Sequence, residues 1–397
     1  MNTIDLMVNN CNWEQLLTER GIKIKVDPMF PKLVNLCYKM TECTKTDPIV
    51  MECRGLVVDT DNFKVSSRPF DRFFNYGESP DITEKVNYNN CKIQDKLDGS
   101  LVTFYYSERY NMWLVSTKGT PTARNAMTVD VVNGEERGLP LLYLIADYFG
   151  IEVAYHVSSR HMGYRQEYID GSDFDTIMRL MNEILDRELH RGYTYICELV
   201  SPKNKVVKVY NKTEVYLLAV RDNISGDYVD HEPTLLLKPT EYQCNGLDEV
   251  KEVVSLLNKK GNGLHEGVVV TCNDTGTRVK LKTPGYVMIH HNLKNESLSK
   301  DDMREVVAYG EEDEVVAYFP HLENDFDILV EKRTNALSML SYGINLSVNI
   351  DDRKELALKL KDIGIASPIF YAMKFSYTDS NTLWENMPVK MRIGMLK

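Results

Sequence analysis

Three segments place charged residues inside runs that otherwise have the pattern of β-strands. Lys96 lies in KLDGS, between CKIQD and the apolar run LVTFYY. Glu198 lies within YTYICELV, and Glu266 directly precedes GVVV. An unpaired carboxylate within an apolar strand is costly, and a lysine amine that loses its proton is a nucleophile. This combination suits a covalent step on a lysine, assisted by carboxylates.

Five further cations accompany these residues along the chain. Arg54 precedes a glycine in ECRG, Arg72 lies in RPFDRFFNYGE, and Lys118 ends a strand-like run in STKGT. Lys280 and Lys282 occupy alternate positions of VKLK and therefore share one face of a strand. Together with the two glutamates, these cations suit a polyphosphate, a divalent metal and a covalent step.

Each of these segments also has a purely structural interpretation. The pair Asp98-Gly99 is typical of a two-residue β-hairpin turn, with Lys96 as a solvent-exposed flank. The strand glutamates and the cations are compatible with salt bridges or solvated strand edges. The presence of all the segments in one chain favours a shared site.

The composition limits the class of protein. The chain has 397 residues, enough for two or three domains. Its eight scattered cysteines form no CxxC pair, which argues against a zinc site or a disulfide framework and predicts a reducing compartment. The net charge of −11 argues against broad, non-specific nucleic-acid binding. The sequence lacks the pattern of a signal peptide or a membrane span, so no membrane partner is expected.

The pattern of elements predicts an α+β fold. Residues 1–287 are predicted as one domain, mostly strands with two helices at about 172–192 and 247–261. Its strand-rich N-terminal portion covers about 1–88, and the chemistry-bearing motifs fall within 96–282. Strands in runs broken by helices favour antiparallel sheets. Residues 290–397 show helical periodicity and are predicted as an all-α C-terminal domain.

The order of the motifs resembles that of the covalent nucleotidyltransferases, which include ATP-dependent DNA ligases, RNA ligases and mRNA capping enzymes. KLDGS, CELVSPKNK, EVYLLAVRD, HEGVVV and VKLK resemble motifs I, III, IIIa, IV and V of that superfamily. ECRG, RPFDRFFN and STKG resemble more specifically the RNA ligase 1 family of T-even phages. A DNA ligase or an mRNA guanylyltransferase is the alternative. Those enzymes usually carry an arginine where this chain has Leu101, and a strand-rich domain where this chain is predicted helical.

The resemblance implies an ATP-dependent RNA ligase that forms lysyl-AMP on Lys96, passes AMP to an RNA 5′-phosphate and seals it to a 3′-hydroxyl. Lys118 and Glu266 would assist Lys96 in catalysis. Glu198 and Glu266 would hold hydrated Mg²⁺ or the ribose. Asp313 would be a further Mg²⁺ ligand, although it is also typical of an acidic first helical turn. ATP would be bound by Arg54, Arg72, Lys96, Leu218, Val269, Lys280, Lys282 and Tyr286. Leu218 and Val269 would enclose the adenine, or are simply core residues.

The resemblance also implies the partners and the setting. The substrate would be RNA with 5′-phosphate and 3′-hydroxyl ends, such as a cleaved tRNA, and an end-healing polynucleotide kinase would act in the same repair. The helical domain would recognise the RNA or tRNA, in the cytoplasm of a phage-infected cell. Two positions depart from the family pattern. Arg72 stands where the family has a lysine. The family also has a tyrosine before the arginine of ECRG, and in this chain both Cys37 and Tyr38 lie near that position.

Overall fold

The computed structural model describes residues 2–132, 135–152, 157–161, 164–167, 171–204, 206–261, 264–290, 298–350 and 352–397. The chain divides into two compact units. The first comprises Met1–Lys39 and Cys43–Tyr286, and the second comprises Met40–Glu42 and Val287–Lys397. In the described part of the chain, no helix has the length and apolar character that crossing a membrane requires.

The first unit contains the strands of the described chain. In chain order they are β1 (Ile22–Asp27), β2 (Phe30–Tyr38), β3 (Arg54–Asp59), β4 (Lys64–Ser67), β5 (Phe74–Asn75), β6 (Cys91–Lys96), β7 (Ser100–Ser107), β8 (Met112–Thr117), β9 (Met127–Val132), β10 (Glu135–Pro140), β11 (Val157–His161), β12 (Tyr164–Glu167), β13 (Tyr193–Val200), β14 (Glu214–Asp222), β15 (Tyr228–Val229), β16 (Glu241–Tyr242), β17 (Gly267–Cys272) and β18 (Arg278–Lys282).

These strands form four sheets. Sheet A has the order β1-β2-β3-β4, sheet B β16-β6-β17-β18-β5, sheet C β15-β14-β13-β7-β8, and sheet D β11-β12-β10-β9. The strand pairs of sheets A and C are antiparallel. Parallel pairing occurs between β18 and β5 and between β10 and β12. The predicted α+β fold with antiparallel sheets is therefore confirmed.

The helices of the first unit are more numerous than predicted. They are α1 (Thr3–Asn9), α2 (Trp13–Thr18), α3 (Pro48–Glu52), α4 (Pro80–Thr83), α5 (Leu141–Tyr148), α6 (Gly171–Leu185), α7 (Leu247–Lys260) and the start of α8 (Pro284–His290). Helices α6 and α7 correspond to the two predicted ones. Helix α6 ends before the predicted boundary because the chain tightens there into turns, where the N–H groups of Arg187 and Glu188 bond to carbonyls three residues back.

Two hydrophobic cores support the sheets that carry the charged motifs. Sheet C packs against α5 and α6, through residues such as Tyr195, Ile145 and Met181, all fully buried. Sheet B packs against α7, where Val268 and Val270 are fully buried. Successive side chains of a strand point to opposite faces. The positions of β17 between these valines therefore face away from that core.

The second unit is helical in the residues that are described. Its helices are α9 (Lys300–Tyr309), α10 (Glu312–Tyr318), α11 (Glu323–Asn349), α12 (Arg353–Asp362), α13 (Ala366–Phe375), α14 (Ser380–Asn386) and α15 (Val389–Met395). The long helix α11 packs against α9, α12, α13, α14 and α15. A buried ion pair joins Arg333 of α11 to Glu312 of α10, at 3.0 Å.

Candidate active site

The segment KLDGS connects two different sheets. Strand β6 ends at Lys96 in sheet B, and the next strand, β7, belongs to sheet C, so the hairpin interpretation is wrong. Asp98, 3% exposed, fixes this crossing. Its Oδ2 accepts hydrogen bonds from the N–H groups of Val207 (2.8 Å) and Lys208 (2.6 Å), and its Oδ1 accepts one from the hydroxyl of Tyr286 (2.7 Å).

Two glycines allow the strands around the crossing to approach closely. A Cβ on Gly99 would lie 2.3 Å from the carbonyl oxygen of Leu199 in β13. Gly267 has φ +138°, and a Cβ there would lie 2.1 Å from the carbonyl oxygen of Leu281 in β18. Real Cβ atoms do not come this close to backbone oxygens, and a side chain would also be strained at that φ. The motif glycines are therefore required by the packing of the backbone.

The register of sheet B places the lysines together. Gly267 in β17 pairs with Lys96 on one side and with Lys282 on the other. Two residues further along, Val269 pairs with Lys280. Residues that pair directly, or that alternate along a strand, share one face of the sheet. The prediction that Lys280 and Lys282 share a face is confirmed, and Lys96 lies on the same face.

A cavity of about 260 Å³, here called the lysine cavity, opens on this face. It is lined by residues of sheets A, B and C. Among the predicted site residues, those that line it are Arg54, Lys96, Glu198, Leu218, Val269, Lys280 and Lys282. The sequence analysis missed the lining residues Phe70, Phe73, Gln94, Leu101 and Arg278 as site residues. Strand alternation from Lys96 and Lys280 would have identified Gln94 and Arg278.

Glu266 is the ionic partner of the lysine at the end of β6. Its Oε1 lies 2.7 Å from Lys96 Nζ and 3.6 Å from Lys282 Nζ. The Glu266 side chain is only 6% exposed, so its charge depends on these two cations for compensation. The carboxylate holds the Lys96 amine at the wall of the cavity.

Two side chains of the cavity have strongly shifted pKa values. Burial, together with the positive charge of Arg54, lowers the pKa of Lys280 to about 7. Burial raises the pKa of Glu198 to about 8, although the charge of Lys96 opposes the shift. Near neutral pH, Lys280 is therefore partly neutral and Glu198 is mostly protonated. The protonation state of both groups is therefore expected to change when a charged ligand enters the cavity.

The cations of the cavity are arranged around an aromatic ring. Arg54 Cζ lies 5.1 Å, and Lys280 Nζ 4.9 Å, from the ring centroid of Phe73. Nη1 of Arg54 is buried and has no hydrogen-bond partner among the described residues. A buried donor that lacks a protein partner is suited to a ligand oxygen, and an anionic one suits a guanidinium best.

Arg72 and Lys118 lie beside Tyr38 rather than in the lining of the lysine cavity. Arg72 Cζ and Lys118 Nζ are 5.1 Å and 4.8 Å from the Tyr38 ring centroid. Burial raises the pKa of the Tyr38 phenol, but the charges of Lys118, Arg54 and Arg72 outweigh it, and the net pKa is lowered. Arg72 also forms a buried ion pair with Glu78 at 2.9 Å. Of the two candidates for the tyrosine before Arg54, Tyr38 is the one that contacts these cations.

Tyr286 and Asp313 have different surroundings from the other predicted residues. Tyr286 is 2% exposed; its hydroxyl bonds to Asp98, and Lys282 Nζ lies 5.4 Å from its ring centroid. Asp313 belongs to the second unit, in the first turn of α10. Among the residues that the structure describes, no three His, Cys, Asp or Glu side chains cluster as a metal site. The assignment of Glu198 and Asp313 to Mg²⁺ stays a prediction.

Comparison with known proteins identifies the family. The model of the RNA ligase family matches residues 52–286, more than half of the chain. A protein of Autographa californica nuclear polyhedrosis virus that carries the name of a bifunctional polynucleotide kinase/RNA ligase is 28% identical over 352 residues. That match covers 84% of this chain but only 45% of the relative, so the chain spans less than half of that protein. An RNA ligase of Rhodothermus phage RM378 is 25% identical over 378 residues, which cover 79% of this chain and 78% of the relative.

Among solved structures, an archaeal ATP-dependent RNA ligase is 14% identical, covers 81% of each chain and has a TM-score of 0.44. A TM-score at this level supports no argument about function. The family match spans the motif glycines, the Lys96 crossing and every predicted residue except Asp313. It agrees with the resemblance found in the sequence motifs. The chain belongs to the RNA ligase family.

Proposed function

We propose that this protein is an ATP-dependent RNA ligase, which joins RNA 5′-phosphate and 3′-hydroxyl ends through lysyl-AMP and RNA-adenylate. One observation carries the proposal. The Lys96 Nζ atom lies 2.7 Å from the Glu266 carboxylate, in a cavity that is also lined by Arg54, Lys280 and Lys282. A nucleophile surrounded by cations is the arrangement that phosphoryl transfer to a lysine requires.

In the first step, the Lys96 amine attacks the α-phosphorus of ATP. A nitrogen–phosphorus bond forms, the bond from that phosphorus to the bridging oxygen breaks, and pyrophosphate leaves with the electron pair. The Lys96 ammonium loses one proton before it attacks and a second as the nitrogen–phosphorus bond forms. Glu266 Oε1 is the oxygen placed to receive one of them, and the other passes to solvent. Lys282, 3.6 Å from the same oxygen, contributes positive charge where the phosphate oxygens gather charge.

The remaining parts of ATP have matching surfaces in the lysine cavity. Leu218 of β14 and Val269 of β17 line it from two different sheets and provide apolar surfaces for the adenine. The unpartnered Nη1 of Arg54 suits a phosphate oxygen. Arg72 and Lys118, held around Tyr38, extend the positive field for the pyrophosphate. The roles of Leu218, Val269, Arg72 and Lys118 follow the family resemblance.

The donor set fits a magnesium ion that is bound mainly through phosphate oxygens. Mg²⁺ keeps several waters and takes one or two protein carboxylates, and Glu198 is a carboxylate that lines the cavity without an ion pair among the described residues. A bound Mg²⁺ would neutralise developing phosphate charge. Glu198 must lose its proton to bind the ion, since burial raises its pKa to about 8. Asp313 is proposed as a second ligand on the resemblance alone.

In the second step, an oxygen of an RNA 5′-phosphate attacks the phosphorus of lysyl-AMP, and the bond to Lys96 Nζ breaks. In the third, a 3′-hydroxyl attacks the RNA 5′-phosphate, loses its proton, and AMP leaves.

The substrate that we propose is a cleaved tRNA, with the helical second unit as the part that selects it. The kinase named in the viral relative supports a role for an end-healing kinase in the same repair. The phage relative supports the cytoplasm of an infected cell as the setting.

The test is transfer of label from α-labelled ATP to the protein. Wild-type chain is expected to form a labelled protein band whose label resists alkali, is released by acid because the nitrogen–phosphorus bond is acid-labile, and disappears on addition of pyrophosphate. Neither Lys96→Ala nor Lys96→Arg is expected to be labelled, because both lack a nucleophilic amine. Labelling of either variant would contradict the proposal. Labelling by GTP instead of ATP would indicate a guanylyltransferase.

Sealing assays then define the substrate. A nicked tRNA anticodon loop, an unstructured RNA with the same ends and a nicked DNA duplex are compared at equal concentration. We expect the nicked tRNA to be sealed best and the DNA duplex least. Preferential sealing of the DNA duplex would contradict the assignment as an RNA ligase. Equal sealing of the two RNAs would contradict the tRNA preference alone.

A further inference from the structure

A second cavity of about 540 Å³ lies in the first unit and shares two wall residues, Phe73 and Arg278, with the lysine cavity. It is called here the adjoining cavity. Its wall also includes Arg72, Arg221 and Tyr228. The side chains of Phe73 and Arg278 therefore border both cavities. None of the steps described above gives Tyr228 or Arg278 a role.

Strand β18 connects the two cavities. Arg278, Lys280 and Lys282 occupy alternate positions and therefore present three basic side chains on one face. The four-residue separation between Arg278 and Lys282 spans roughly 13 Å at the usual rise of a strand. Lys282 lies beside Lys96 through their shared ion pair with Glu266, whereas Arg278 marks the far end of the row. The row leads from the nucleophile to the adjoining cavity.

Aromatic rings and guanidinium groups alternate at that far end. Arg278 Cζ lies 3.8 Å from the ring centroid of Tyr228 and 4.5 Å from that of Phe70. Arg221 Cζ lies 5.2 Å from the Tyr228 ring centroid. Tyr228 is nevertheless 37% exposed, whereas Phe70 is 5% exposed. Planar groups of these two kinds are the platforms on which unpaired RNA bases stack.

The two arginines of this stack differ in their partners. Arg221 is held by Asp71, with contacts of 2.9 and 3.2 Å, and donates to the carbonyl of Pro69 at 2.7 Å. In the protein without bound RNA, Arg221 therefore stabilises the β14–β15 hairpin. Arg278 has no carboxylate within ion-pair distance among the described residues, and its bond to the Gly276 carbonyl is long, at 3.4 Å. Arg278 is half-buried against the rings of Tyr228 and Phe70, and no carboxylate among the described residues pairs with its charge.

The chemistry of AMP transfer indicates which RNA strand approaches from this side. At the phosphorus of lysyl-AMP, Lys96 Nζ is the leaving group, and the attacking oxygen enters in line from the opposite side. That is the side from which pyrophosphate left in the first step, among the phosphate-binding cations. Arg72 belongs both to the cluster of cations around Tyr38 and to the wall of the adjoining cavity.

We propose that the adjoining cavity binds the 5′-terminal nucleoside of the RNA strand that receives AMP, with its base stacked on Tyr228 and Arg278. The proposal rests on the proposed function. Stacking of this kind tolerates every base, so the cavity accepts a single-stranded 5′ end irrespective of sequence. The strand's 5′-phosphate then lies on the side of Lys280 and Arg54, and attacks lysyl-AMP as the bond to Lys96 breaks.

The test separates AMP transfer from the other steps. Full-length protein is first converted to lysyl-AMP with ATP, and the amount formed is measured for each variant. Short, 5′-phosphorylated single-stranded RNA with a blocked 3′ end is then added, and the rate of RNA-adenylate formation is followed against RNA concentration. The variants are Tyr228→Ala, Tyr228→Phe, which keeps the ring, and Ile224→Ala. Ile224 is 93% exposed, in the same hairpin, and lies outside the walls of both cavities.

Tyr228→Ala is expected to raise the RNA concentration for half-maximal transfer roughly 5- to 150-fold, the equivalent of ~1–3 kcal/mol for one lost stack. Tyr228→Phe and Ile224→Ala are expected to behave like wild type. Wild-type behaviour of Tyr228→Ala, in a protein that forms lysyl-AMP, would overturn this inference and leave the proposed function intact. So would a defect confined to the sealing of pre-adenylylated RNA, since the cavity would then bind the 3′-hydroxyl strand. A wild-type chain that forms no lysyl-AMP would overturn both.

Discussion

Binding of ATP is expected to be coupled to protonation of the Lys280 amine. In the free protein, burial and the charge of Arg54 lower the pKa of Lys280 to about 7. At pH 8 its amine is therefore about 90% neutral. A phosphate of ATP in the cavity favours the charged amine, and raises the pKa again toward the ordinary value of a lysine. The bound amine is then protonated at pH 8, so binding takes up close to one proton.

The sign of the pH dependence follows from this proton. Protonation must accompany binding, so affinity for ATP is expected to fall as pH rises above 7. The decrease approaches tenfold for each pH unit, or ~1.4 kcal/mol, once the pH is well above 7 and below the pKa of the bound amine. Between pH 7.5 and 9 the total decrease is about 25-fold, because the free amine is still partly protonated at pH 7.5. An unshifted lysine, already charged throughout this range, would give no decrease.

Calorimetry in buffers with different ionisation enthalpies measures the proton uptake directly. Wild type and Lys280→Met are titrated with ATP in the presence of EDTA at pH 8. Both chains are also compared in a Glu198→Gln background, since burial raises the pKa of Glu198 to about 8 and its carboxyl titrates in the same range. Wild type is expected to take up close to one proton more than Lys280→Met. Equal uptake by the two chains, or equal pH dependence of their affinities, would refute the reasoning.

Three further predictions concern single positions. Lys282→Ala is expected to slow lysyl-AMP formation at least ~100-fold, the lower range for loss of one preorganised electrostatic group. A normal labelling rate would show that the VKLK lysines are only a solvated strand face. Gly267→Ala is expected to lower the free energy of unfolding by about 3 kcal/mol in urea, from overpacking and backbone strain. The matched control, Gly119→Ala, should be close to neutral because nothing lies within 4 Å of the added methyl group, and equal effects would contradict the packing argument. Glu312→Ala is expected to destabilise the second unit by ~3–5 kcal/mol, because it leaves Arg333 buried without its ionic partner. An unchanged urea transition would show that Arg333 finds other compensation.

The sequence by itself indicated the family, and it predicted seven of the residues that line the lysine cavity. Each charged strand residue has an ordinary structural interpretation when taken alone, but the order of the motifs along the chain resembled the RNA ligase family. The alternation of VKLK was sufficient to place Lys280 and Lys282 on one face, because the two-residue period of a strand is a local property of the backbone. Antiparallel sheets and the helical C-terminal part followed from equally local periodicity.

Helices with no local signal were missed. In α5, the side chains from Leu141 to Ala146 are all buried, so the helix has no polar face and its apolar run lacks the amphipathic period. The Asp98-Gly99 pair was equally ambiguous. A hairpin turn and a crossing between sheets use the same residue types, and only the strand order, which puts β6 and β7 in different sheets, distinguishes them.

Only the tertiary structure decided how distant segments meet. It joined Arg72, Lys118 and Tyr38 into one cluster. It also revealed Arg278 as the end of a cationic row and Tyr228 as its stacking partner. These contacts join residues far apart in sequence, and the pKa shifts of the site arise from the same packing. No local pattern encodes them, because desolvation and charge proximity exist only once the sheets have come together.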